Sequence, residues 1–336
     1  LEDLWISIFC HLADLCLDRR PAIRKSACQT LFNTVECHGS RFDSTTWSAM
    51  FWKVLFPLLR NVHEMFANAP VEREGRSNSL LVHHSRDTAA KQWAETVVLT
   101  LSGVSHLVIS KQDQLLALAE FSKVWNTLLE QVQQHALTPS AEISTTALTS
   151  LQTLLELKPT DLQMNRMLWS AAWNTWLQIG TGAVHFQSFS QLESTPVKSK
   201  LSASETESKA QSMEQNVTQT SESSHPAAPF LPTAPFMTLM FDLFIPLFSR
   251  CTEASTTTTT TTPTTPTISS VEWTRLTEIF RLGLLAPIYV AYLFPQSSVT
   301  LLPVVDDGTL SPLQESVLRD LNFLLQVRIA TGLDAT

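Results

Sequence analysis

Glycine is scarce in this chain. Only 8 of the 336 residues are Gly, where average usage of roughly 7% would supply about two dozen. Phosphate-cradling loops and turn-dense β-sandwiches both depend on glycine, so both are disfavoured and helix becomes the default. Charge is thin as well, at 16% of residues with a net −8. Such an acidic surface offers no general attraction to nucleic acid or anionic lipid. The 5 cysteines are odd in number and contain no C-x-x-C pair, which disfavours a disulfide framework and a zinc ribbon. Their apolar neighbours suit reduced core thiols in a cytosolic setting. Cys10 with Cys16, and Cys37 beside His38, are therefore assigned to the core. No nucleophile elbow, P-loop or paired-carboxylate motif occurs, so neither an enzyme nor a bound cofactor is expected. The chain opens at Leu1 without an initiator Met or a basic-then-apolar leader and reads as a cytoplasmic piece of something longer.

What is present is 44% hydrophobic residue, arranged at helical spacing. Leu4, Ile8, Leu12 and Leu15 form one stripe, and Ile23, Ala27, Leu31 and Val35 form another after a polar turn at Asp18 to Pro21, which predicts a helical hairpin. Trp47, Phe51, Val54, Leu58, Val62 and Met65 share a face, as do Ala90, Trp93, Val97, Leu101, Val104 and Val108, giving a second pair. A third pair runs through Leu118, Phe121, Trp125, Leu128 and Val132, then Ile143, Ala147, Leu151 and Leu154, with Thr138 and Pro139 opening its second helix. Thr160 to Gln163 reads as a capping box ahead of a helix through Met164, Leu168, Ala172 and Ile179. Pairs recurring every 40 to 50 residues or so predict an all-α solenoid of the HEAT or armadillo kind.

The predicted organisation is 1–186 helical repeats, 187–228 a disordered Ser/Thr/Glu/Gln-rich linker, 229–252 a helical segment, 253–270 a Thr/Pro-rich linker and 271–336 C-terminal helices. In 229–252 the helical face is Met237, Met240, Phe241, Phe244 and Leu247, with Pro246 near its end. Trp273, Leu276, Ile279 and Phe280 restart a helix, and Ser311 to Gln314 forms a second capping box. The uncharged stretch from Leu282 to Val305 is divided by Pro287, Pro295 and Pro303, so its longest helical piece is too short to span a bilayer and no transmembrane segment is expected.

The densest basic cluster is Arg19, Arg20, Arg24 and Lys25 at the first turn. It is the candidate partner-binding site, suited to an acidic partner or to headgroups; the alternative is a solvated turn with ion pairs between repeats. Arg20 lacks a capping oxygen, which leaves Asp18 to cap from farther away. His83, His84 and Asp87 are too few for a metal site and are read as helix-capping residues. Asn216-Val217-Thr218 is a sequon in a chain without a secretion signal, so phosphorylation of that Ser/Thr-rich stretch is the more plausible modification. The nine tryptophans, from Trp5 to Trp273, are read mainly as packing residues between repeats.

The segment Asp18-Arg19-Arg20-Pro21-Ala22-Ile23-Arg24-Lys25-Ser26-Ala27 resembles the inter-helix signature of HEAT repeats. Four blocks carry a narrower likeness. They are Leu1 to Trp5; Arg24-Lys25-Ser26-Ala27 with Gln29-Thr30-Leu31-Phe32; Trp52-Lys53-Val54-Leu55-Phe56-Pro57-Leu58-Leu59; and His83-His84-Ser85-Arg86 with Lys91 to Thr96. Together they resemble the C-terminal HEAT region of the Mon-two family, relatives of the large Arf guanine-nucleotide exchange factors that lack the exchange domain. The likeness is concentrated from Leu1 to Val108, thins through Ile179 and fades beyond the linker. The resemblance implies a non-catalytic scaffold in endosome-to-Golgi traffic, peripheral at the trans-Golgi network and endosomes. It implies Dopey-family proteins and small GTPases of the Arf and Arl type as partners, and it transfers no catalytic residue. The alternatives are the regulatory helical region of an actual Arf exchange factor and a general HEAT adaptor.

Overall fold

The computed structural model describes residues 2–70, 88–192, 230, 232–253, 268–293 and 310–330. Among them every regular element is helical. They are α1 (Glu2–Leu15), α2 (Pro21–His38), α3 (Ser44–Ala49), a π-helical stretch (Met50–Leu55), α4 (Phe56–Ala67), α5 (Ala89–Ser110), α6 (Gln112–Leu116), α7 (Phe121–Ala136), α8 (Ala141–Leu154), α9 (Leu162–Leu192), α10 (Ala234–Asp242), α11 (Phe244–Glu253), α12 (Ser270–Leu293) and α13 (Pro312–Ala330), with a short 3₁₀ turn at Gly39–Arg41. The predicted all-α class holds. His83, His84, Asp87 and the sequon at Asn216 lie outside the described residues, as does most of both predicted linkers.

Prolines account for several departures from the predicted boundaries. The run from Ser44 to Ala67 is continuous, but Pro57 cannot donate to the carbonyl four residues back, and the ladder widens to π geometry immediately before it. Pro246 splits the predicted 229–252 helix. Asp242 loses its i+4 donor there, so α10 ends and α11 restarts, placing Pro246 in the first turn of α11 instead of near a helix end. Pro287 does not divide its segment: α12 runs through it to Leu293, at the loss of one hydrogen bond in the ladder. Helix α9 likewise continues to Leu192, past the predicted boundary at 186. Hydrophobic period reports burial, and an established helix extends through polar residues at little cost.

Caps also differ in detail. The Ser311–Gln314 box is present, with Ser311 N–H donating to Gln314 Oε1 at 2.9 Å and Gln314 N–H to Ser311 Oγ at 3.2 Å. At α9 the capping oxygen is not that of Thr160: Asp161 Oδ1 accepts from Met164 N–H at 2.7 Å, a carboxylate being favoured at a positive helix end. At α8 the cap is Ser140, one residue beyond the predicted Thr138-Pro139 start.

The helices form two layers. In one, α2 packs on α5, α5 on α8, α8 on α10 and α10 on α13; in the other, α1 packs on the π stretch, α4 on α7, α7 on α9, and α9 on α11 and α12. Rungs between the layers are α1 with α2, α4 with α5, α7 with α8 and α12 with α13. Among the described residues two helical runs, Ala89–Ser110 and Ala234–Thr252, are long and apolar enough to cross a membrane by length and composition. The first is α5, the most heavily packed helix of the stack, and the second is broken into α10 and α11.

Tryptophans bolt successive pairs together. Trp125 of α7 donates to the Leu168 carbonyl of α9 at 2.9 Å, and Trp176 of α9 donates to the Met240 carbonyl of α10 at 2.8 Å. Trp47, Trp93, Trp125, Trp169, Trp173 and Trp176 are buried, while Trp52 and Trp273 are exposed. On α1 most of the predicted stripe faces outward: Leu4, Ile8 and Leu15 are exposed and only Leu12 packs against the core, while Phe9, and Cys16 just past the helix, are buried. Both stripes are apolar, and only the side taken by α2 and the π stretch decides between them.

Close crossings use the few glycines. A Cβ on Gly180 of α9 would stand 2.5 Å from Ile279 Cδ1 of α12 and 3.2 Å from Met240 Cε of α10, and both side chains are buried. Gly180→Ala gains about 1 kcal/mol of helix propensity, against about 1–3 kcal/mol of overpacking. A net loss of about 1 kcal/mol is expected in urea unfolding, and a stabilised variant would contradict this packing.

Candidate partner-binding surface

The turn between α1 and α2 separates the four basic residues instead of gathering them. Arg20 is exposed but tied to Asp18, whose carboxylate accepts from the Arg20 backbone N–H at 2.8 Å and from its guanidinium at 2.9 and 3.0 Å. These bonds hold the Asp18 carboxyl at about 2. Asp18 thus bonds Arg20's own N–H and caps no first-turn donor. Arg24 is buried, only 1% exposed. Its Nε donates to Thr96 Oγ1 of α5 at 2.9 Å, one terminal nitrogen donates to the Asp18 and Arg19 carbonyls at 2.9 and 3.1 Å, and the guanidinium lies 3.9 Å from the Trp93 ring centroid. Burial pulls its pKa below the ordinary arginine value. Arg24 therefore joins its own turn to helix α5 of the next pair and presents no charge to a partner. Arg19 and Lys25 remain exposed.

Of the thiols predicted to lie in the core, Cys37 is exposed and Cys10 half-buried, while Cys16, just past α1, is buried as expected and hydrogen-bonded to Cys28 of α2. The bond from Cys16, with Arg24 nearby, favours the Cys28 thiolate and pushes the Cys16 thiol up. Deeper in the stack, His63 of α4 and His135 of α7 meet edge to face with centroids 4.7 Å apart. Burial lowers both, His135 to about 4. Asp320 of α13 is fully buried beside Arg319, and burial raises its carboxyl to about 6. Among the described residues no three His, Cys, Asp or Glu side chains converge as a metal site.

A concavity lies on the layer of α2, α5, α8 and α10, a groove of about 840 Å³ between α5 and α8. One wall is Glu95, Val98, Leu99 and Ser102, the other Glu142, Thr145, Thr146 and Thr149. Each set follows i, i+3, i+4, i+7 spacing, so the groove runs along both helices. Lys25 of α2 borders it on one side and Thr233, Ala234 and Pro235 at the start of α10 on the other. Of the predicted site residues, Lys25 alone reaches this groove. The remaining lining residues escaped the sequence reading, because two exposed stripes 47 positions apart (95 to 142) carry no local motif.

Fold and surface together define an all-α protein whose described helices stack in two layers, with an open groove along one of them. Residues 1–166 match the family described as the C-terminal region of Mon2 protein, and this region of the chain belongs to the Mon-two family. A Drosophila melanogaster protein named as a MON2 homolog is 37% identical over 260 residues, covering 74% of this chain and 14% of its own length. The human protein of the same name is 46% identical over 155 residues, 46% of this chain and 9% of the relative. A shorter match, 43% over 54 residues (16% of this chain and 3% of the relative), is to Brefeldin A-inhibited guanine nucleotide-exchange protein 2 of Arabidopsis thaliana. The chain thus spans a small part of each relative's length. No solved structure matches it.

Two measurements test the interior. Arg24→Met removes the donors serving Thr96 and two carbonyls, and a loss of about 2–4 kcal/mol is expected in urea unfolding; a change below about 0.5 kcal/mol would show the residue is not a strut. His135 takes its proton near 6.5 when unfolded but near 4 when folded. The unfolded state therefore binds more protons in that window, and stability falls as pH drops through it. Asp320, raised from 3.8 to about 6, acts with the opposite sign. Between pH 7 and 5, His135→Gln should lose about 2 kcal/mol less stability than the parent chain; equal losses would count against a buried neutral imidazole.

Proposed function

We propose that this chain is a non-catalytic scaffold region in endosome-to-Golgi vesicle and protein traffic, holding partner proteins on its helical-repeat surface. The observation that carries this reading is a two-layer stack of the described helices in a chain whose residues 1–166 match the Mon-two family. Stacked pairs present a long surface on which affinity is spread over many shallow contacts. The partners proposed are small GTPases of the Arf and Arl type and Dopey-family proteins. The proposed location is the cytoplasmic side of the trans-Golgi network and endosomes, with peripheral or indirect membrane association. The short matches to brefeldin A-inhibited exchange proteins support the Arf connection. They also support a second reading, in which the chain is the regulatory region of an Arf exchange factor.

The test is retention of purified Arf-type GTPase, in its GTP-analogue and GDP states, and of Dopey-family protein on immobilised chain, with nucleotide release followed in parallel. Retention of at least one partner without faster nucleotide release is expected. Retention of none overturns the scaffold reading, and accelerated release overturns its non-catalytic part in favour of the exchange-factor alternative.

A further inference from the structure

The groove between α5 and α8 has the shape of a seat for a third helix. Its two walls are stripes of i, i+3, i+4, i+7 spacing, so they run side by side for about two turns, roughly 10 Å. Ridges of a helix laid along such a trough fall between the rows of the two below. An extended peptide would instead need strand edges or backbone donors, and α5 and α8 spend theirs within their own turns.

The walls are more apolar than their residue names imply. Thr146 donates its hydroxyl to the Glu142 carbonyl at 2.7 Å, and Thr149 donates to the Thr145 carbonyl at 3.1 Å. With the hydroxyls turned back onto the helix, the methyl groups are what these residues offer a visitor. Val98 and Leu99 are half-buried at the floor, and Ala141, Ala234 and Pro235 complete an aliphatic lining.

The rim supplies the polarity. Glu95 and Glu142 stand at the same end of the two stripes, both exposed, and neither forms an ion pair among the described residues. Lys25 is the single cation in the lining against these two carboxylates. An occupant with a Lys or Arg at that end places its charge between them, whereas a carboxylate there meets like charge.

We infer that this groove docks an amphipathic helix of a partner protein, with aliphatic side chains on Val98 and Leu99 and a basic residue toward Glu95 and Glu142. The inference rests on the scaffold reading and names the chemistry of the partner segment that one face of the scaffold takes. Recognition is of the helix-in-groove kind, with anchors at i, i+4 and i+7.

The probes are three fluorescent synthetic helices: one with leucines at i, i+4 and i+7 and a flanking lysine pair, one with glutamates in place of the lysines, and one with serines in place of the leucines. Anisotropy with the whole chain should show saturable binding of the first and at least about tenfold weaker binding of the other two. Thr149→Arg, an exposed change that blocks one end of the trough, and Leu99→Asn should each weaken the first peptide about tenfold, with circular dichroism unchanged for Thr149→Arg. The double variant Glu95→Lys/Glu142→Lys should reverse the preference to the glutamate peptide. Absence of binding, equal binding of lysine and glutamate peptides, or binding indifferent to Thr149→Arg overturns the proposal. GTPase or Dopey-family retention undiminished by Leu99→Asn, in a chain that ignores the peptides, sinks the groove and leaves the scaffold reading standing. Peptide binding without retention of either protein does the reverse.

Discussion

No helix pair of this chain hides its own apolar surface. Helix α5 shows why, because its buried residues Trp93, Ala94, Val97, Leu101, Val104, Leu107 and Val108 run around far more than one face. It needs α4 on one side and α2 and α8 on the others to cover them. Burying a large aliphatic or aromatic side chain stabilises by about 1.5–3 kcal/mol, and on α5 that burial is shared with helices of both neighbouring pairs. Stability is therefore a property of neighbours, as in any quasi-one-dimensional stack. The tryptophan hydrogen bonds from α7 to α9 and from α9 to α10 add direction to this otherwise nondirectional force.

Arg24 is the exception that fixes how the first two pairs meet. A guanidinium taken out of water carries a desolvation cost that hydrogen bonds and a π-face offset in part. The Asp18 and Arg19 carbonyls, Thr96 and Trp93 supply these from two different pairs. Shifting α2 along α5 by one residue would strand the charge, whereas an aliphatic contact would tolerate the slip. The Cys28 thiolate is favoured chiefly by its hydrogen bond with Cys16, with a smaller contribution from Arg24, so this buried cation organises the turn and the seam.

Much of the helix order was legible in the sequence, because apolar spacing and caps are local. The second capping box at Ser311 and the stripes of α2, α5, α7 and α8 follow from residues within a turn or two of one another. What escaped were decisions made by distant partners. Around α1 both Leu4-Ile8-Leu15 and Phe9, with Cys16 just past the helix, are apolar, and the choice between them lies with α2 and the π stretch. Arg24 reads as surface charge until Trp93 and Thr96 are brought beside it. Pro57, Pro246 and Pro287 have the same local chemistry and three different outcomes: a π-helical stretch, a break and an uninterrupted helix. Packing determines whether a missing hydrogen bond is tolerated.

The groove illustrates the same division on the outside of the stack. A helix that spends one face on its own pair and another on the neighbouring pair has only its outward stripe left for recognition. On α5 and α8 those outward stripes are Glu95, Val98, Leu99 and Ser102, and Glu142, Thr145, Thr146 and Thr149. Neither stripe is hydrophobic enough to drive aggregation alone, because carboxylates and hydroxyls interrupt it. Brought side by side, however, with Thr146 and Thr149 hydroxyls bonded inward, they make a continuous aliphatic trough with charge at one end. Threonine suits this role better than valine: in the free chain its hydroxyl can turn back to water, and against a partner it returns to its own helix without leaving a buried donor unpaired. The same side chain can thus serve an empty surface and a covered one, which is the physical requirement for the docking proposed at this groove.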